Sequence, residues 1–129
     1  MKRKAASHKN QLRLFFLLAL VLTFAIIRIS LGLFPYLNFN LGSYNIHHIY
    51  LGSVLLILVT IYHIVGWKNN FLAVLAGMSS ALILDQLVFL IATDAGDLTY
   101  LGPVSFWGAV VSIVIVMLIL EIVHCYKKK

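Results

Sequence analysis

The sequence predicts an all-α integral membrane protein built as a bundle of four transmembrane helices. Hydrophobic residues make up 62% of the 129 residues and charged residues only 11%, against about 45–50% and about 25% in an average soluble protein. The mean hydropathy is +1.00. A chain this short cannot bury so much apolar surface in a soluble core, and it is far too hydrophobic for an intrinsically disordered protein.

Four apolar runs of 21 to 23 residues are the predicted helices, at residues 14–34, 46–66, 71–92 and 104–126. Pro35 follows the first run, a four-residue turn separates the second from the third, and Pro103 precedes the fourth. At about 1.5 Å per residue, each run is long enough to cross a hydrocarbon core about 30 Å thick. Because lipid cannot satisfy backbone hydrogen bonds, each run is expected to be helical.

Basic residues mark one side of the predicted bundle. The net charge is +6, and the positive charges concentrate in a basic tail at residues 1–13, at Lys68, and in a second tail at residues 127–129. The connections at residues 35–45 and 93–103 contain no Lys or Arg. This distribution predicts a multi-pass protein of the cell membrane with both termini in the cytoplasm. It favours the headgroups of the lipid bilayer, and not nucleic acid, as the partner of the positive charge.

Small residues on the third run predict close helix packing. Ala73, Gly77 and Ala81 precede Asp85 at intervals of four residues, which is the small-xxx-small spacing that lets two helix backbones approach. The short turn before this run predicts an antiparallel hairpin with the second run. A homo-oligomer or a complex with another membrane protein stays open at this point.

Ionisable residues inside the apolar runs are the candidate functional residues, because each costs roughly 2.5–3.5 kcal/mol to insert into a bilayer. Counted from the helix ends, an outer cluster contains Arg28, His47, His48, Asp85 and Gln86. One interpretation is structural, with Arg28 paired to Asp85. A second is a metal site in which His47, His48 and Asp85 bind zinc or another transition metal and leave a position for water. A third is proton or substrate handling.

An inner cluster contains His63, Glu121 and His124. Glu121 and His124 are three residues apart on one helix face, so a polar pair near the headgroups is the simplest interpretation. His63 and His124 are expected at similar depth on two helices, so bis-histidine binding of haem is the alternative. The sequence contains no phosphate-binding loop, HExxH motif or nucleophile elbow, and it does not decide whether the protein is an enzyme.

Two motifs stand in neighbouring predicted helices: residues 45–52, which read NIHHIYLG, and Leu84-Asp85-Gln86 late in the third run. Together they resemble a group of small uncharacterised bacterial and archaeal multi-pass membrane proteins. Those proteins carry an HHxxxG motif in one helix and an Asp-Glu pair in the next, where this chain has Gln86. The resemblance covers residues 46–89, about a third of the chain. It implies no established activity, and it directs attention to His47, His48 and Asp85.

The predicted function is that of a small polytopic membrane protein with an accessory or interaction role and no catalysis of its own. One alternative is an outward-facing metal or ligand site on His47, His48 and Asp85, with hydrolysis as one reaction that such a site supports. Another is ion or proton translocation by an oligomer, with relay residues that include Arg28, Asp85, His63 and Glu121.

Overall fold

The computed structural model describes residues 2–34, 40–41, 44–45, 47–93 and 97–126. Its helices are α1 (Lys2–Leu33), α2 (His48–Ile64), α3 (Asn70–Ala92), α4 (Asp97–Tyr100) and α5 (Pro103–Tyr126). Two strands of two residues each, β1 (Asn40–Leu41) and β2 (Tyr44–Asn45), pair antiparallel between α1 and α2. The predicted all-α class is confirmed, and each of the four predicted runs corresponds to one long helix.

Three of the described helices are long and apolar enough to cross a membrane, namely α1 over Lys9–Leu33, α3 and α5. These three helices fit a small membrane protein. Helix α2 is apolar but has only 17 residues, which is about 25 Å at 1.5 Å per residue. The predicted run of residues 46–66 is therefore too long, and the helix falls short of a hydrocarbon core about 30 Å thick.

Helix α2 ends early because the backbone turns at Gly66, which has a φ of +96°. Glycine adopts this left-handed conformation without strain. The Gly66 N–H donates to the His63 carbonyl oxygen at 3.0 Å, and the Trp67 N–H donates to the Tyr62 carbonyl oxygen at 3.1 Å. These two bonds form a Schellman motif, and the Tyr62 and Trp67 rings, 5.5 Å apart, supply its hydrophobic contact.

Helices α1 and α3 begin differently. Helix α3 has an N-cap, since the Asn69 Oδ1 accepts a hydrogen bond from the Leu72 N–H at 2.8 Å. Helix α1 begins at Lys2 instead of residue 14, so the basic segment predicted as a tail continues the helix. Lys and Arg have good helix propensity, which is compatible with this extension.

The chain divides into two compact units, Met1–Ile83 and Leu84–Lys129. In the first unit, glycines allow helix backbones to approach closely. A Cβ atom at Gly77 would lie 2.9 Å from the Ala19 Cβ and 3.0 Å from the Leu20 nitrogen, and one at Gly52 would lie 2.8 Å from the Leu82 Cβ. Gly77 of the small-residue ridge therefore brings α3 close to the backbone of α1, the close approach that the spacing predicts.

The second unit contains the end of α3, helix α4 and helix α5. A Cβ atom at Gly108 of α5 would lie 2.7 Å from the Val88 Cβ of α3, so this glycine also marks a tight helix contact. The interior of the unit combines apolar and polar side chains. Its buried residues include Asp85, Gln86, Phe89, Tyr100, Ser105, Ala109 and Ile113.

Candidate functional site

The candidate site of the second unit is centred on Asp85, whose side chain has no exposed surface. Helix α3 carries this residue seven positions before its end at Ala92. The Tyr100 hydroxyl, at the end of α4, donates a hydrogen bond to the Asp85 Oδ2. A carboxyl group buried in an apolar helix needs such a donor, because an uncompensated polar group costs several kcal/mol there.

Phe89 fixes the tyrosine ring that carries this hydroxyl. Phe89 lies four residues after Asp85, so both side chains share one face of α3. Its ring centroid is 5.1 Å from that of Tyr100, with the planes at 90°, which is the favoured edge-to-face geometry. Both rings are buried. The Tyr100 side chain therefore attaches α4 to α3 twice, through its ring on Phe89 and through its hydroxyl on Asp85.

Two further polar residues, Gln86 and Ser105, are buried in this unit, and both engage in further interactions. Sequence reasoning identified Asp85 and Gln86 but missed Tyr100 and Ser105. The sequence signal for Tyr100 is its place at the end of an apolar span, which indicates an interfacial anchor and does not identify it as the donor to Asp85. For Ser105, at the start of the fourth apolar run, the sequence offers no comparable signal.

Arg28 lies on α1 in the first unit and is half-buried. Its guanidinium carbon is 5.6 Å from the centroid of the Phe24 ring, one turn earlier on the same helix. This is a cation–π contact, which sequence reasoning did not predict. The ion pair of Arg28 with Asp85, a residue of the second unit, stays a prediction.

His47 and His48 stand at the start of α2, also in the first unit. His47 is the N-cap residue, with an extended backbone at φ −64° and ψ 137°, and His48 is the first helical residue. Both side chains are half-buried. Within the described ranges, no group of three or more His, Cys, Asp or Glu side chains is placed to hold a metal ion. The zinc or transition-metal site on His47, His48 and Asp85 stays a prediction.

The inner cluster is distributed over both units. His63 lies in the last turn of α2 and is exposed, while Glu121 is exposed and His124 half-buried near the end of α5. His63 belongs to the first unit and the other two to the second. The Glu121–His124 pair and haem binding by His63 and His124 both stay predictions.

No protein-family model, curated protein or solved structure gives a significant match to the chain. The chemistry of the Asp85 site is therefore argued from its geometry. A hydroxyl donor and a carboxyl acceptor meet in the buried interior of the unit, which also contains Gln86 and Ser105. Such an arrangement can hold two helices together, and it can hold a proton between two oxygen atoms.

Proposed function

We propose that the protein is an accessory membrane protein that presents an ordered helical surface to other membrane proteins and performs no reaction of its own. The observation that carries this proposal is the hydrogen bond from Tyr100 to Asp85. The buried carboxyl group is engaged by a hydroxyl of its own unit, which supports a structural role for it. The same contact orders α4, and with it the end of the unit that faces away from the C-terminus.

An exposed stripe on α5 supports an interaction role. We define the α5 stripe as Val111, Ile115, Leu118 and Ile122, which are 50–56% exposed. Their spacing of four, three and four residues is the heptad spacing with which helices pack at small crossing angles. Leu118 stands between Ile115 and Ile122 on this stripe, the alternation of β-branched residues with leucine found in two-stranded seams. We therefore propose that a helix of another membrane protein, or of a second copy, packs on this stripe.

Site-specific photocrosslinking tests the interaction role. A photoreactive amino acid at Leu118 lies on the α5 stripe, and one at Val123, which is also exposed, lies off it. Crosslinking is carried out in native membranes with the full chain. Protein adducts of defined mass from position 118 but not from position 123 support the proposal, and an adduct of twice 14.5 kDa identifies a second copy. If both positions give only lipid adducts, the interaction role is wrong.

The orientation that accompanies this proposal places both termini in the cytoplasm. It is supported by the positive charges at residues 1–13, Lys68 and residues 127–129. Cys125, the single cysteine and an exposed one, offers a direct test. A membrane-impermeant maleimide is expected to label Cys125 in inverted vesicles and not in intact cells, with an N-terminal epitope tag giving the same result. Labelling of Cys125 in intact cells would contradict the orientation.

Proton translocation is the second candidate function, and the complete burial of Asp85 in a spanning helix favours it. Ionisable residues inside membrane helices are typical of proton and ion pathways. The test is proton flux into proteoliposomes under an imposed membrane potential. This candidate requires flux above that of protein-free liposomes, loss of flux in Asp85→Asn, and retention in the charge-matched control Asp97→Asn. Flux equal to the protein-free level excludes it.

A further inference from the structure

The turn end of the α2–α3 hairpin carries an apolar groove in the first unit. The groove has a volume of about 230 Å³. Aliphatic side chains of both helices line it, among them Leu58, Leu72 and Leu75, and three aromatic side chains stand at its edge, Tyr62, Trp67 and Phe71. Trp67 and Phe71 are more than half exposed. Aromatic side chains at the end of an apolar span are characteristic of the level of lipid headgroups.

A positive charge stands beside this groove. Lys68 is exposed in the turn, between Trp67 and Asn69, both of which line the groove. The first unit, Met1–Ile83, contains no Asp or Glu and seven of the ten Lys and Arg residues. No carboxylate of this unit can therefore neutralise Lys68, and an anion from outside the unit is its complementary partner.

Helix α1 adds basic residues at the same level. Gly77 of α3 meets α1 at Ala19 and Leu20, and α3 begins seven residues before Gly77. In the proposed orientation, with four crossings and both termini in the cytoplasm, α1 and α3 run the same way. Arg13 lies on α1 seven residues before this contact and is half-buried. Lys9 lies one turn earlier on the same helix and is exposed. Three cations thus stand at one end of the unit.

We infer that this end of the first unit binds an anionic phospholipid, with one acyl chain in the groove and the phosphate at Lys68. A volume of about 230 Å³ is below the roughly 300–1,000 Å³ of pockets for compact small molecules. The groove is partly open and its lining is mostly apolar, so a segment of a flexible acyl chain can lie in it. Anionic headgroups are attracted by lysine and arginine at the membrane surface, and the aromatic edge lies where headgroup and chain meet.

Tryptophan quenching in the full-length protein tests this inference. Trp107→Phe leaves Trp67 as the single tryptophan, at the edge of the groove. Phosphatidylglycerol with brominated acyl chains is titrated into protein held in phosphatidylcholine nanodiscs. We expect saturable quenching of Trp67. Lys68→Gln is expected to weaken the apparent affinity about fivefold, the effect of one lysine at an anionic surface. Lys128→Gln, which removes the same charge from the C-terminal tail, is expected to leave it unchanged.

Three other outcomes would each overturn the inference. Equal quenching by brominated phosphatidylcholine shows that the groove does not select an anionic headgroup. Equal weakening by Lys68→Gln and Lys128→Gln shows that only the net charge of the protein matters. Loss of quenching in millimolar inorganic phosphate shows that the site recognises a free anion and not a lipid. Lys68 is exposed and takes no part in the hydrogen bonds or the ring contact of the Schellman motif, so circular dichroism should show both variants folded.

Discussion

Substitution of Tyr100 by phenylalanine tests the candidate site most directly. The variant removes one hydroxyl group and keeps the ring that packs edge-to-face on Phe89. It therefore isolates the hydrogen bond donated to Asp85. Removing the donor of a buried acceptor costs about 1–3 kcal/mol. Because Asp85 has no exposed surface, water cannot replace the lost donor. We expect Tyr100→Phe to lower the free energy of unfolding by about 1–3 kcal/mol.

The assay is reversible unfolding in mixed micelles, followed by circular dichroism as the fraction of denaturing detergent rises. Asp85→Asn keeps an oxygen acceptor for Tyr100 and should cost less than Tyr100→Phe. A cycle of Tyr100→Phe with Asp85→Ala, in which each single change removes the hydrogen bond, should show a coupling free energy within about 0.5–3 kcal/mol, the range for residues in direct contact. Tyr100→Leu also loses the ring contact with Phe89, which adds about 0.5–1.5 kcal/mol. A Tyr100→Phe protein within about 0.5 kcal/mol of wild type would refute the structural role of this hydrogen bond.

Three further predictions use the same unfolding assay. Gly77→Val forces a side chain into the backbone of α1 and is expected to destabilise the protein by about 1–3 kcal/mol, whereas Gly32→Ala, with nothing within 4 Å, should be neutral or slightly stabilising. Gly66→Ala places a side chain at a φ of +96° and should cost about 1–2 kcal/mol; no loss would mean that the α2–α3 turn adopts another conformation. Asn69→Ala removes the N-cap of α3 and should cost about 1 kcal/mol, with Asn69→Asp retaining most of the stability.

The long helices follow from the sequence because their cause is local. An apolar run in lipid has no alternative to a helix, and α5 begins within one residue of its predicted start and ends at Tyr126 as predicted. The end of α2 is less predictable, because Gly66 is compatible with a helix interior and with a left-handed cap. The paired strands between α1 and α2 escape a prediction based on hydrophobicity, since residues 40–45 carry few apolar side chains.

The sequence predicts Asp85 and Gln86 of the candidate site but not Tyr100 and Ser105, and the reason is physical. Asp85 is recognisable because a carboxyl group is costly inside an apolar helix. The donor, Tyr100, is not recognisable from the sequence, because a tyrosine at the end of a span is normally an interfacial anchor. Tyr100 reaches Asp85 only because α4 packs back against α3, with Phe89 holding the ring. Depth counted from a helix end gives the level of a side chain in the membrane, but not the side of the helix on which its partner lies.

Helix α2 determines how many times the chain crosses the membrane. It is about 5 Å shorter than a hydrocarbon core about 30 Å thick, and a mismatch costs only a fraction of a kcal/mol per ångström. If α2 did not cross, Lys68 and residues 127–129 would lie on the side opposite the five basic residues of positions 1–13. Four crossings place all nine on one side, as the positive-inside rule requires. Bilayer thinning compensates the short helix at a cost of about 1–2 kcal/mol. The distribution of the basic residues is therefore a stronger argument than the length of α2, and four crossings are the proposed topology.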